Sequence, residues 1–223
     1  MAGDRDALTK DLKGIERHYA ELVEKHGSAP QAAQWSDSRT QQLRLGVLSD
    51  VGDLRTSKVL DFGCGTGALL AYLNDDLDFA GEYVGYDLAW PAIDLARRLQ
   101  PAGRFERRDV LTQGVPEDFD YILASGVFNN RTSDGWGLMT QLLEALWPHA
   151  TRALAFNALS TYVDFREDHL WYVDPGEVFA WCKRELSPAV CLRHDYEVKP
   201  GVIPFEFTVF VYRLGRGPDS PVP

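Results

Sequence analysis

Apolar positions along this chain change period in an orderly way. From residue 6 to residue 26 they recur at helical spacing, with Leu8, Leu12, Ile15, Tyr19, Leu22 and Val23 on one stripe; Gly27-Ser28-Ala29-Pro30 ends the run. A second helical pattern covers 38–54 and places Leu43, Val47, Val51 and Leu54 on one face. The pattern then shortens. Apolar runs rich in β-branched and aromatic residues occur at 59–62, 83–87, 104–107, 119–124, 152–157, 189–193 and 205–212 and read as strands. Helical stretches separate most of them. Ala68, Leu69, Leu70, Ala71 and Leu73 open one; Trp90-Pro91 opens another, continued by Ile93, Leu95, Ala96 and Leu99. Leu138, Leu142, Leu143 and Leu146 form a core stripe over 136–147, and Asp174-Pro175 caps and starts a helix carrying Val178, Phe179 and Cys182. Strands alternating with helices predict a single α/β domain.

The first strand breaks into three glycines at alternate positions, Gly63, Gly65 and Gly67, before a helix begins. Strand, glycine turn and helix form a unit that lets a ligand touch the backbone, because glycine accepts positive φ and has no Cβ to hold the ligand away. A dinucleotide site wants G-x-G-x-x-G/A, and Gly63, Gly65 and Ala68 satisfy it. Two features point elsewhere. The third glycine comes one position early, and Asp61 sits inside the strand, where it would repel a diphosphate but not a cationic ligand. A tight turn without a ligand is the plainer alternative. Asp87 follows Gly67 by 20 residues at the C-terminal end of the second strand. An acid there can accept both ribose hydroxyls of an adenosine, whichever cofactor carries it.

With 223 residues, 45% apolar and 25% charged, the chain has enough material for one domain with a sizeable core. A formal net charge of −10 argues against a nucleic acid as main partner. Arg97, Arg98, Arg104, Arg107 and Arg108 form one local basic group. It reads as a solvated rim around a strand, with an anionic substrate or carrier as the alternative. No apolar run is long enough to span a bilayer, and the charged N-terminus lacks an apolar signal region. Cys64, Cys182 and Cys191 have no metal-ligand spacing and suit a reducing cytoplasm.

The stretch from Val59 to Leu70 resembles the first motif of class I S-adenosylmethionine-dependent methyltransferases, and the resemblance runs over 58–212. It implies a Rossmann-like three-layer sandwich: a seven-stranded, mostly parallel sheet with the last strand antiparallel. Residues 1–57 are expected as an N-terminal helical lid, 58–214 as the core, and 215–223 as a disordered tail. The cofactor implied is S-adenosyl-L-methionine, leaving S-adenosyl-L-homocysteine. Its expected binding residues are Asp61, Gly63, Cys64, Gly65, Gly67 and Asp87, with Leu88 stacking on the base, Asp109 and Val110 on the adenine edge, and Ser125 and Gly126 bordering the reactive end. Arg44 is a bidentate match for the cofactor carboxylate, or else a surface arginine.

Phe128 and Asn129 face substrate in this reading. Asn157, Tyr162, His169 and Tyr172 fall on the same side, and Tyr19 and Trp35 are pocket walls or helix-packing aromatics. His169 is the candidate base and Tyr172 a candidate for orienting the acceptor; a surface or structural role is the alternative for each. The strand exit at 125–130 lacks the Asn/Asp-Pro-Pro-aromatic run of enzymes that methylate adenine or glutamine amides. Together with 156–162 and 193–196, it looks like a subgroup of small stand-alone bacterial methyltransferases. The expectation is methyl transfer by in-line displacement to an O or N of a small-molecule acceptor. It includes no metal, no nucleic-acid or membrane partner, a cytoplasmic location, and a monomer or homodimer. An NAD-linked oxidoreductase and a non-catalytic S-adenosylmethionine-binding protein are the alternatives.

Overall fold

The computed structural model describes residues 2–33 and 37–215, except for the side chains of 2–9, 30 and 33. Trp35 and residues 216–223 of the expected tail lie outside the described residues. Three parallel strands, β1 (Lys58–Phe62), β2 (Glu82–Asp87) and β3 (Arg104–Arg107), step outward to one side. The chain then crosses back to lay β4 (Phe119–Ala124) on the other side of β1, with β5 (Ala150–Ser160) beyond it. The last two long strands are β7 (Val190–Arg193) and β8 (Glu206–Tyr212). The sheet order is β3-β2-β1-β4-β5-β8-β7, with β8 antiparallel to both its neighbours. The order reverses between β1 and β4, so a crevice opens beyond their C-terminal ends, the usual place for a ligand in such sheets.

Side chains alternate across the sheet with period 2. Leu60, Phe62, Val84, Tyr86, Ile122 and Phe156 face α6 (Gly135–Leu146) and α7 (Pro175–Glu185) in one buried cluster. Val59, Tyr83, Phe105 and Leu123 face α3 (Ala68–Leu77) and α4 (Trp90–Leu99) in a second. This register places Asp61 on the α3 side, away from the face carrying Phe62. The N-terminal α1 (Ala2–His26) runs outside the sheet. Tyr19, Ala20 and Val23 pack against Ala89 and Ala92 at the start of α4, while Leu12 and Ile15 reach the first cluster.

Three differences from the sequence pattern have local causes. The second helix, α2 (Ser38–Ser49), stops short of Leu54: the Asp50 N–H is shared among the carbonyls of Gly46, Val47 and Leu48, and Asp53 then accepts from Arg55 N to form a turn. Val51 and Leu54 are still buried, so the apolar spacing outlasts the helix. After β3, α5 (Val110–Gln113) forms where the apolar pattern marks no element, capped by the Asp109 carboxylate on Leu111 N. The fifth strand is also longer than its apolar run. It extends past Phe156, the partner of Ala124, and its tip pairs on the vacated side with β6 (Tyr172–Val173) through Leu159 and Ser160.

Candidate functional site

The cleft is built from the glycine turn upward. Gly63 and Cys64 donate their N–H groups to the Tyr86 carbonyl at 2.8 and 3.0 Å, which ties the turn to the end of β2. Gly63 has φ +77° and stands so close to Val127 that a Cβ would come within 2.5 Å of its methyl. Gly65 has φ +52°, and the space a Cβ would fill is open. A ligand can therefore lie against the backbone there.

Asp87 closes the turn. One carboxylate oxygen accepts from Gly65 N at 2.9 Å and the other from Ala89 N at 2.8 Å. Each oxygen keeps lone-pair capacity, so the group can also receive two hydroxyls. Burial pushes its pKa up, the N–H groups of Ala89, Gly65 and Leu88 hold it down, and the Glu16 carboxylate adds to the rise. Leu88, Ala92 and Val110 supply apolar wall. Asp109 lines the same end; its carboxylate accepts from Leu111 N at 3.0 Å and from the Thr112 hydroxyl at 2.9 Å, so it caps α5 while facing the cleft. The first-turn N–H of Val110 has no intrahelical acceptor. At the other end, Ser125, Gly126 and Val127 leave β4 and form the floor.

The outer wall is α1, whose Leu12, Ile15, Glu16 and Tyr19 cover the cleft. Two polar contacts hold it at the rim. Glu16 accepts from Arg107 at 2.8 Å, and Arg107 also donates to the Leu88 carbonyl at 2.9 Å. The Tyr19 hydroxyl accepts from the Asn130 amide at 2.9 Å, joining α1 to the exit of β4. Burial raises the Tyr19 pKa to about 12, with the Asn130 donor pulling it down and Asp87 pushing it up. Its hydroxyl is therefore neutral near pH 7.

These features suit an adenosine-bearing cofactor: backbone open at Gly65, a carboxylate with two free acceptor positions at Asp87, apolar walls, and an acid beside a free N–H at Asp109 and Val110. Comparison with known proteins decides which cofactor family applies. A family profile described as a methyltransferase domain matches residues 60–155. The Mycobacterium tuberculosis protein Rv1506c, named for a methyltransferase, is 35% identical over 157 residues, covering 68% of this chain and 90% of that protein. The chain belongs to the class I S-adenosylmethionine-dependent methyltransferases. The fold agrees. The magnesium protoporphyrin IX methyltransferase ChlM of Synechocystis PCC 6803, with SAH bound, superposes at a TM-score of 0.57 and 12% identity, over 78% of this chain and 83% of that one. The plantazolicin methyltransferase BpumL, in complex with SAH, gives 0.58 and 15%, over 92% and 98%. The cofactor is accordingly S-adenosylmethionine, and the NAD reading of the turn falls away.

In this methyltransferase several expected site residues sit elsewhere. Asp61 is buried on the α3 side of β1, where it accepts the Tyr83 hydroxyl proton at 2.5 Å; burial raises its pKa to about 7. Cys64 is packed in the core against Gly85, and Gly67 caps α3 with its Cα against Phe105. Both shape the turn from behind and neither lines the cleft. Arg44 is not aimed at a cofactor carboxylate. Its Nε donates to Glu206 at 2.8 Å and another nitrogen donates to the Thr40 carbonyl at 3.0 Å. Glu206 also accepts from Asn157 at 3.2 Å and from the Tyr196 hydroxyl at 3.3 Å. Asn157, fully buried, accepts from Gly126 N at 2.7 Å. It holds the cleft floor from below and does not line the cleft.

The acceptor side departs further. Phe128 is core, edge-on to Phe156. Asn129 is buried at the β4 exit; its backbone carbonyl takes Trp171 N at 2.8 Å, and its side-chain carbonyl has no partner. Tyr162 is exposed beside His194. The Tyr172 hydroxyl accepts from Glu167 N at 3.1 Å and braces its own loop. His169 is exposed, with its backbone carbonyl holding Arg131 N. None of Tyr162, His169 and Tyr172 lines this cleft, but His169 lines a second one on the other side of Asn130. Sequence reasoning missed Thr66, Glu16 and Asn130. Glu16 could have been noticed as a polar residue on the stripe between Leu12 and Tyr19. Asn130 differs from Asn129 only in the direction of a turn that no local pattern reveals.

Proposed function

We propose that this methyltransferase passes its methyl group to an oxygen or nitrogen of a small-molecule acceptor by in-line displacement. The observation carrying this reading is the Tyr19–Asn130 hydrogen bond, which closes α1 over the β4 exit and leaves a covered cleft instead of an open polymer track. Bound S-adenosylmethionine supplies a methyl already activated on a sulfonium. The chain's own residues then have a positioning task, and alignment of reacting atoms alone can lower a barrier by several kcal/mol. Asp87, the glycine turn and α5 hold the nucleoside. The clamp from Gly126 through Asn157 to Glu206 fixes the floor.

Tyr19 acts as a donor. Its oxygen takes the Asn130 amide proton, so its own proton is available to an acceptor molecule. A neutral phenol with its pKa near 12 orients a nucleophile and does not deprotonate it. No histidine is among the described residues lining the cleft. On this side of Asn130 the residues favour a nucleophile that needs no strong base, either a carboxylate or an amine that sheds its proton late, while His18 and His169 line the neighbouring cleft on its far side. The test is methyl transfer from labelled S-adenosylmethionine to panels of small carboxylic acids, alcohols and amines, run beside oligonucleotides and peptides. Transfer to a small molecule supports the reading, and transfer confined to the polymers contradicts it.

A further inference from the structure

A second cleft lies on the outer side of α1, bounded across the gap by the loop after β4. It is open to solvent. Ile15 lines both clefts, and Asn130, which lines this one, reaches through to the Tyr19 hydroxyl that lines the other. The two spaces therefore share a thin partition formed by Ile15, Tyr19 and Asn130.

The lining is strongly cationic. Lys10, Lys13 and Arg17 stand on one wall at helical spacing, and Arg131 stands on the other. All four are exposed, and none pairs with a carboxylate among the described residues. Like charges three and four residues apart on a helix are mildly destabilising, so this wall carries a small standing cost. It does so in a chain of net charge −10. Asp11, the one acid among the lining residues, is taken up by the N–H and hydroxyl of Ser133. Thr132, on the same loop, has a buried hydroxyl with no partner. The basic group that stands out in the sequence behaves oppositely: Arg104 and Arg108 are neutralised by Glu106 and Glu117, and Arg107 by Glu16.

We propose that this cleft binds the acceptor, and that the acceptor carries an anionic oxyacid group, carboxylate or phosphate, held between the α1 cations and Arg131. The inference rests on the small-molecule methyltransferase reading. A concave surface of one sign focuses its potential on a small counter-charge and raises its local concentration. The guanidinium of Arg131 adds forked donors suited to an oxyanion. Bound there, the anion places the rest of the molecule toward Asn130 and the Tyr19 hydroxyl.

The experiment uses the ¹⁵N-labelled full chain loaded with S-adenosylhomocysteine, titrated separately with phenyl phosphate, benzoate and benzylamine at low and physiological salt. One or both anions should shift the amides of residues 10–18 and 130–132, bind more weakly as salt rises, and bind at least tenfold more weakly to an Arg17→Glu/Arg131→Glu variant. The tighter anion identifies the oxyacid. S-adenosylhomocysteine affinity, measured on the same variant, should stay within twofold and so report an intact fold. Binding of the anions no better than benzylamine, or equally to the parent and the variant, would overturn the proposal. Failure of the parent to bind S-adenosylhomocysteine at all would overturn the reading beneath it and the proposal together.

Discussion

The cofactor site we propose turns on one side chain, Asp87. Its two oxygens each take a backbone N–H, so it fixes the glycine turn while keeping acceptor capacity for a ribose. Charge-assisted hydrogen bonds contribute about 1.5–3 kcal/mol each. Asp87→Ala should therefore weaken S-adenosylhomocysteine binding by about 100-fold in a calorimetric titration; a loss under threefold would remove Asp87 from the site. Tyr19 belongs to the other half of the reaction. Tyr19→Phe should lower turnover about tenfold with cofactor affinity within twofold, the loss of one oriented donor. Asp61 gives a signature in stability. Its pKa in the folded chain is about 7, against an ordinary 3.8. Between those values the folded state holds a proton that the unfolded state has released, so stability falls as pH rises through that window. The full effect is on the order of 4 kcal/mol by linkage. Asp61→Asn should flatten the slope of denaturation midpoints between pH 4 and 7, and an unchanged slope would assign it to other groups.

Among the elements, the first four strands and the helices α3 and α4 were legible because their signals are local: an apolar run, a glycine turn, a proline in a first turn. Asp87, expected from a strand end, and Leu88, Asp109 and Val110, expected from the family resemblance, all line the cleft. The acceptor side was not legible. His169 and Tyr172 were drawn toward the site by their place after the fifth strand; His169 lines the second cleft and not the covered one, and Tyr172 lines neither. That strand instead overshoots β4, pairs with β6, and turns the loop outward, with Leu170 bridged to Asn130. Arg44 shows the same limit. Its partner Glu206 is 162 residues away, and no spacing announces such a pair. The pair links α2 to β8, and through Asn157 to the cleft floor. Breaking a buried pair by removing one partner costs about 3–5 kcal/mol. Glu206→Ala should lower stability by that amount in urea unfolding and also weaken cofactor binding, because Gly126 loses its anchored support. A cost near zero would mean that water replaces the carboxylate.

At the scale of the whole molecule, the sheet supplies a rigid crevice at its switch point and α1 supplies a cover. Tyr19–Asn130, Glu16–Arg107 and Asp11–Ser133 all join that helix to loops at the C-terminal edge of the sheet. They are few and partly exposed, and such contacts individually stabilise by only about 1 kcal/mol or less. Contacts this weak suit the role we propose for α1, a cover that opens for a cofactor to enter and closes once it is bound. The cofactor cleft and its lid make a single claim, and hydrogen exchange with and without S-adenosylhomocysteine tests it most directly. The account predicts slower exchange at 63–67, 87–89, 109–111 and 125–127, together with slower exchange over 12–19 in α1. Protection of the sheet edge without α1 would contradict the lid, and protection that leaves the glycine turn and residues 87–89 unchanged would contradict the site itself.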